Sequence, residues 1–143
     1  MELFSLPPEL SFQTKGNQTL GMRQGDEYVQ DQFLHEHNLI ITENGKRHLI
    51  AGCAHGGIAN ILEHAQKLCC CPMDNVIGGF HLYNSGTKQT ESKELVHALA
   101  NRLLQSGAVF YTGHCTGKMA FVMLREILGD QVRTISTGDV LEL

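Results

Sequence analysis

The chain has 143 residues, of which 42% are hydrophobic and 18% are charged, a composition typical of one globular domain that can bury a core. Its formal net charge of −4 excludes the basic surface that binding to nucleic acid or to an anionic membrane would need. There is no apolar run as long as a membrane-spanning helix, and the segment from Met1 to Leu10 has prolines and acids where a signal peptide has a basic start. We therefore expect a cytoplasmic protein that acts on a small molecule. Three of its five cysteines are consecutive, Cys69 to Cys71, which favours reduced thiols over a disulfide framework.

The amino-terminal part of the chain shows little periodicity. Residues 1–37 are predicted to be an irregular lead-in with one strand near Thr19 to Met22. After them, NLIITE (38–43) and HLIAGC (48–53) flank Asn44-Gly45, a dipeptide favoured by the type I′ turn. This pattern predicts a β-hairpin.

Helices and strands alternate beyond the hairpin. Ile58, Ile61, Leu62, Ala65 and Leu68 follow the spacing of an amphipathic helix. The complete prediction is a helix over 58–68, a strand over 75–80, a helix over 91–105, a strand over 108–112, a helix over 117–128, and strands over 131–135 and 140–143. Together with the hairpin, this order predicts a single α/β domain over residues 1–143, with a mixed, mostly parallel sheet and crossover helices.

Three of the predicted strands are followed by glycine and histidine. The runs are Gly52-Cys53-Ala54-His55-Gly56-Gly57, Gly78-Gly79-Phe80-His81 and Gly113-His114-Cys115-Thr116-Gly117. Ligands of α/β proteins bind outside the carboxyl ends of the strands, so the three histidines are expected to face one crevice.

Imidazole and thiolate groups are ligands of zinc, iron and other transition metals. The candidate metal ligands are therefore His55, His81 and His114, with Cys53 or Cys115 nearby. Helices are predicted to begin after two of the three runs, where free backbone N–H groups suit an anion. The candidate anion-binding residues are Gly56, Gly57, Thr116 and Gly117.

Other interpretations of these residues stay open. A single histidine at a strand end is more often structural than a ligand, and the metal hypothesis depends on the three occurring together. His81 could instead hydrogen-bond a substrate or cap a loop, and Cys53 could be a small buried hydrophobe. The other histidines are expected to be solvated: His35 and His37 at a strand edge, and His48, His64 and His97 on the surface.

The same runs, extended from Gly52 to Leu62, from Val76 to Leu82 and from His114 to Gly117, and followed by Ser136-Thr137-Gly138, resemble a known family. They are similar to the metallo-β-lactamase-fold metal-dependent hydrolases, in particular to the branch of the dihydropterin–ribofuranosylaminobenzene phosphate synthases. The resemblance extends from about residue 17 to residue 143 and corresponds to the carboxy-terminal half of that fold.

The resemblance implies half of an αββα sandwich that holds one or two divalent ions, usually zinc, where its halves meet. It implies that His55 is a metal ligand, that His114 is the late histidine of the second metal site, and that Cys53 stands where relatives often carry a bridging aspartate. His81 belongs to the Gly-Gly-Phe-His-Leu signature. Iron and manganese are alternatives to zinc.

The sequence departs from the family in one respect. It lacks the early His-x-His-x-Asp-His motif, since His35-Glu36-His37 continues with Asn38. The first hypothesis is a hydrolase fragment or subunit in which metal-activated water attacks a phosphate ester or similar small substrate, inactive as an isolated chain. The alternative is a non-catalytic, truncated or split-gene chain that needs a partner half. A third hypothesis, a thiol-based redox module using Cys53 and Cys115, would require a thiol pKa below about 7.5.

A half-sandwich would leave one sheet face uncovered. Ile40, Leu49, Ile77 and Val109 are expected to form an exposed apolar patch. A two-fold homodimer, sheet on sheet, would cover it.

Overall fold

The computed structural model describes residues 1–8 and 14–143. Its strands are β1 (Glu2–Phe4), β2 (Gly21–Gln24), β3 (Glu27–Gln30), β4 (Asn38–Glu43), β5 (Lys46–Ile50), β6 (Asn75–Gly78), β7 (Tyr83–Asn84), β8 (Gln89–Thr90), β9 (Val109–Thr112) and β10 (Val132–Thr134). Its α-helices are α1 (Ile58–Cys69), α2 (Lys93–Leu104) and α3 (Lys118–Leu128). Among the described residues, none of the helices has the length and apolar character needed to cross a membrane.

The main sheet has the strand order β1-β4-β5-β6-β9-β10. Strands β5, β6, β9 and β10 run parallel to one another, and β1 and β4 pair antiparallel at one side. Strands β2 and β3 form a separate hairpin, as do β7 and β8. The predicted mixed α/β sheet is therefore confirmed.

The hairpin of β4 and β5 is also confirmed. Asn44 and Gly45 both have positive φ, 49° and 78°, as a type I′ turn requires. The turn places Glu43 opposite Lys46 and thereby sets the register between β4 and β5.

Helices α1, α2 and α3 cover one face of the sheet. Each helix connects two parallel strands that are neighbours in the sheet, and the chain moves across the sheet in one direction, from β5 to β6, β9 and β10. Because such connections are right-handed, all three helices lie on the same side of the sheet. One row of side chains across the sheet points at them and is at most 3% exposed. The row consists of Ile40, Leu49, Val76, Phe110 and Val132.

None of the three α-helices of the described residues lies on the opposite face. Its row of side chains, in register across the sheet, is Leu39, Ile50, Ile77, Tyr111 and Arg133. The predicted apolar patch was wrong for Ile40 and Leu49, because both point into the helical core. Ile77, in contrast, is partly exposed on the helix-free face.

Three further predictions are corrected. Residues 140–143 do not form a strand, and residues 1–37 contain β1, β2 and β3 instead of one strand. His48 is not a surface residue: it lies on β5, is 7% exposed, and its Nδ1 is 3.1 Å from Nδ2 of Asn75 on β6. The short strands lacked enough residues for a periodic pattern, and His48 is buried by its place between β4 and β6.

Candidate metal centre

A cavity of about 320 Å³ lies just beyond the carboxyl ends of β5, β6 and β9. The side chains predicted from the three strand ends all line it. They are Cys53, His55, His81, His114 and Cys115, and we call this space the histidine cavity. The sequence argument from the carboxyl ends of the strands thus led to residues that share one cavity.

Three of these residues form a compact donor set. The ligand atoms of Cys53, His114 and Cys115 all lie within 4.8 Å of one another. Zinc binds sulfur at about 2.3 Å and imidazole nitrogen at about 2.0–2.1 Å, so two ligands of one ion are separated by about 4 Å or less. Small side-chain adjustments would therefore bring the three atoms to one ion.

The backbone around His114 is held in an uncommon conformation. His114 has φ of 50° and begins a short 3₁₀ turn, His114–Thr116. The turn is anchored by Thr116, whose Oγ1 accepts a hydrogen bond from the Phe80 N–H over 3.0 Å and lies 2.6 Å from Thr112 Oγ1. These contacts of Thr116 connect the segment after β6 with the end of β9, and they hold the turn in which His114 lies.

Cys115 fits into space that Gly79 leaves open. A Cβ atom at Gly79 would lie 2.5 Å from the Cys115 sulfur. The thiol is 3.6 Å from the carbonyl oxygen of Cys53, to which it donates. Burial, and next the neighbouring Cys53, raise the pKa of Cys115 to about 12. This direction is opposite to the one that the redox hypothesis requires of Cys115.

His55 is held by Asn17. The Asn17 side-chain nitrogen donates to the His55 carbonyl over 2.8 Å, and its Oδ1 lies 2.9 Å from His55 Nδ1. Because the amide oxygen faces the ring, Nδ1 carries the proton and donates it to Asn17. The lone pair of His55 is therefore on Nε2, the tautomer that a metal ligand bonded through Nε2 needs.

An aromatic ring fixes the plane of the same imidazole. Phe33 stacks on His55 with ring centroids 4.1 Å apart and an interplanar angle of 0°. Phe33 has φ of 53°, and the Asp31 carboxylate accepts its N–H over 2.8 Å. Burial lowers the pKa of His55, although the Asp31 charge opposes the shift, so the neutral form is favoured.

Glu36 occupies the predicted anion site before α1. Its carboxylate accepts the N–H of His55 over 2.9 Å and the N–H of Gly56 over 3.2 Å. An internal carboxylate therefore takes the place that we expected an external anion to take. Gly57 N–H donates to Ala54, and Thr116 N–H donates to Gly113, so these groups also have partners within the chain.

His81 differs from the other histidines of the cavity. It is 9% exposed, has φ of 47°, and its ring centroid is 4.1 Å from that of His55. Within the part of the chain that the structure describes, neither ring nitrogen makes a hydrogen bond of good geometry, although the Gly16 backbone lies close enough to interact with the ring. Burial, and next the neighbouring His55, lower its pKa. A buried neutral imidazole without a well-aligned partner has a lone pair and an N–H to offer to a ligand.

A solved structure is similar to this arrangement over most of the chain. It is a metal-dependent hydrolase of the β-lactamase superfamily, with a TM-score of 0.75 and 25% sequence identity, covering 86% of this chain and 46% of that one. The chain therefore has a metallo-β-lactamase-like fold. Its mixed sheet with helices on one face matches half of that fold.

Two proteins of Methanocaldococcus jannaschii are related to this metallo-β-lactamase-fold chain in sequence. One is 7,8-dihydropterin-6-methyl-4-(β-D-ribofuranosyl)-aminobenzene-5′-phosphate synthase, 29% identical over 104 residues, which cover 72% of this chain and 33% of the synthase. The other is an uncharacterised protein, 27% identical over 124 residues, which cover 85% of this chain and 42% of that protein. The chain spans less than half the length of these relatives. A comparison with family profiles finds no match.

The sequence pattern did not identify the residues that hold His55. These residues lie in the segment that was predicted to be irregular, and they are Asn17, Phe33 and Glu36. Asn17 is 38 residues from His55 and Glu36 is 19 residues from it, so no local spacing links them. The one available signal was compositional, since Asn17 and Glu36 are polar residues in a segment without helix or strand periodicity.

Proposed function

We propose that this chain supplies a metal-binding half-site of a metal-dependent hydrolase that acts on a phosphate ester or a similar small substrate. The observation that carries the proposal is the compact donor set of Cys53, His114 and Cys115, with His55 and His81 on the wall of the same cavity. The fold of the family and the similarity to a metal-dependent hydrolase support it.

The donors suit a divalent transition metal. Thiolate and imidazole together favour zinc or iron, whereas manganese prefers carboxylate and carbonyl oxygens. Cys53, His114 and Cys115 would hold the ion, and His55 Nε2 and the ring nitrogens of His81 are the further donors of the cavity. Three to five donors suffice for one ion, so we propose at most one per chain. When bound, such an ion supplies a Lewis acid that activates water and polarises a phosphoryl oxygen.

The surrounding residues would prepare this site before an ion arrives. Asn17 fixes the tautomer of His55, Phe33 fixes its plane, and Glu36 holds its backbone. Ligands that are oriented in advance lose less freedom when the ion binds.

Turnover measurements test the hydrolase proposal. The chain is incubated with bis(p-nitrophenyl) phosphate and with zinc, iron or manganese, beside His114→Ala and the control His97→Ala, whose wild-type side chain contacts Glu126 on α3. Metal-dependent turnover that is lost only in His114→Ala supports the proposal. Turnover that persists in His114→Ala or with EDTA contradicts it. Metal binding without turnover supports the alternative, a chain that needs a partner half for activity.

A further inference from the structure

A second cavity also borders His81. It has a volume of about 450 Å³ and is lined mainly by polar groups, and we call it the polar pocket. The lining residues used below are Lys15, Gly16, His81, Asn84 and Glu91. The polar pocket contains none of the donor set of Cys53, His114 and Cys115.

One carboxylate oxygen of Glu91 is buried without a hydrogen-bond donor among the described residues. The residue is 6% exposed, and its Oε1 accepts the backbone N–H of Lys15 over 2.7 Å. Its Oε2 is buried and has no hydrogen-bond partner among residues 1–8 and 14–143. A buried carboxylate oxygen without a donor costs free energy, which a suitable ligand would recover.

The walls that hold Glu91 are fixed by hydrogen bonds between distant segments. The Glu91 N–H donates to the Leu82 carbonyl over 2.9 Å and closes the hairpin of β7 and β8. In the same hairpin, the Asn84 amide donates to Thr19 Oγ1 over 3.0 Å and to the Gly16 carbonyl over 3.4 Å. The pocket is therefore built by two segments that are 65 or more residues apart, and its shape does not depend on one flexible loop.

The polar pocket adjoins the histidine cavity. Gly16, His81 and Asn84 line both spaces. His81 therefore borders both the pocket of Glu91 and the cavity of the donor set. A small molecule could therefore have one end in each space.

The chemistry of the pocket selects the kind of group that fits. An anionic oxygen that lacks a donor attracts an N–H group, most strongly a positively charged one. The opposite charge of Lys15 at the same pocket belongs to an exposed residue, so water and salt screen it more than they screen the buried Glu91. An amidine or an amino-substituted heterocycle offers N–H groups on a flat frame that can also lie beside the His81 ring.

We propose that the polar pocket binds a nitrogen-bearing head group, an amine, amidine or amino-substituted heterocycle, through Glu91 Oε2 and His81. We further infer that the head group is one end of a substrate whose other end reaches the metal, and this part rests on the proposed function. The binding of the head group to the polar pocket is independent of the proposed function.

Benzamidine and benzoate are matched probes of opposite charge for this pocket. Each is titrated into ¹⁵N-labelled chain with EDTA present, so that no metal is required, and amide shifts are followed by NMR. We expect benzamidine to shift the amides of Lys15, Gly16 and Glu91, and benzoate to leave them unchanged. Equal binding of both probes, or binding of benzoate alone, would overturn the proposal. This comparison uses the unsubstituted chain, so it does not depend on the folding of a variant.

Substitution of Glu91 gives a second measurement. Glu91→Gln removes the charge and keeps the shape, and we expect the affinity for benzamidine to fall about tenfold or more. Glu94→Gln is the control, because Glu94 is exposed three residues further along, in the first turn of α2. Unchanged benzamidine affinity in a folded Glu91→Gln chain would refute the proposal. Metal content is measured separately on the same samples, so that failure of the pocket and failure of the metal site give different results.

Discussion

The side chain of Asn17 holds both the ring and the backbone of His55. Its Oδ1 lies 2.9 Å from Nδ1 of the imidazole, and its Nδ2 donates to the His55 carbonyl over 2.8 Å. Asn17 is fully buried, so water does not compete for these bonds. A residue of the amino-terminal segment thereby decides which nitrogen of His55 carries the proton.

This relationship predicts the effect of removing Asn17. In the unsubstituted chain, ¹⁵N NMR should show His55 as the tautomer protonated at Nδ1. Asn17→Ala should lose that preference and bind metal about 10- to 100-fold more weakly, the usual range for loss of a partner of a metal-binding histidine. The control is Gln18→Ala, which changes an exposed neighbour. A His55 protonated at Nε2 in the unsubstituted chain would contradict the assignment.

Gly79 gives a second prediction about the same site. Gly79→Ala would place a methyl group 2.5 Å from the Cys115 sulfur and force the thiol to rotate away. We expect weaker metal binding together with a loss of stability of about 1–3 kcal/mol. Gly52→Ala is the matched control, because a Cβ there meets none of the described atoms within 4 Å. Isothermal titration with zinc distinguishes the two, and equal affinities would show that Cys115 is not a ligand.

The reactivity of Cys115 gives a third prediction. Its pKa is raised to about 12, chiefly by burial, so in the metal-free chain it should be alkylated by iodoacetamide at pH 8 far more slowly than the exposed Cys70. Since folding favours the protonated thiol, its stabilising contribution is present below the ordinary pKa of 9.0 and is lost as the pH rises towards 12. Peptide mapping by mass spectrometry measures the rates. Equal rates at Cys115 and Cys70 would contradict the raised pKa.

The sequence predicted the elements of the fold correctly where its turn and apolar patterns extended over many residues. The Asn44-Gly45 turn and the apolar spacing from Ile58 to Leu68 predicted the hairpin of β4 and β5 and helix α1. Strands β7 and β8 have two residues each, too few for any periodicity. For the same reason β1 could not be recognised, since it is a strand only because it pairs with β4.

The site could be predicted only in part. The positions of His55, His81 and His114 after successive strands were enough to place them at one cavity, because the carboxyl ends of parallel strands share an edge. Glu36 and Asn17 act through contacts across 19 and 38 residues, which no local pattern encodes. The sequence therefore did not predict that the Glu36 carboxylate accepts the Gly56 N–H, which we had expected to bind an external anion.

The helix-free face of the main sheet predicts self-association, which we propose as a two-fold pairing of sheets. Ile77 lies in the middle of this face and is partly exposed. Light scattering at micromolar concentration should show a dimer that Ile77→Lys weakens, whereas Val122→Lys, on the exposed surface of α3, should leave it intact. A monomer with no dye-accessible apolar surface would refute this proposal.

The most direct test of the metal site is a titration of the chain with cobalt(II), followed by absorption spectroscopy. Thiolate ligands give a sulfur-to-cobalt charge-transfer band, which the donor set of Cys53, His114 and Cys115 should produce. We expect the band to saturate at no more than one equivalent of cobalt, to weaken in Cys53→Ser, and to disappear in His114→Ala. Absence of the band, or binding of two equivalents by this chain alone, would contradict the proposed site.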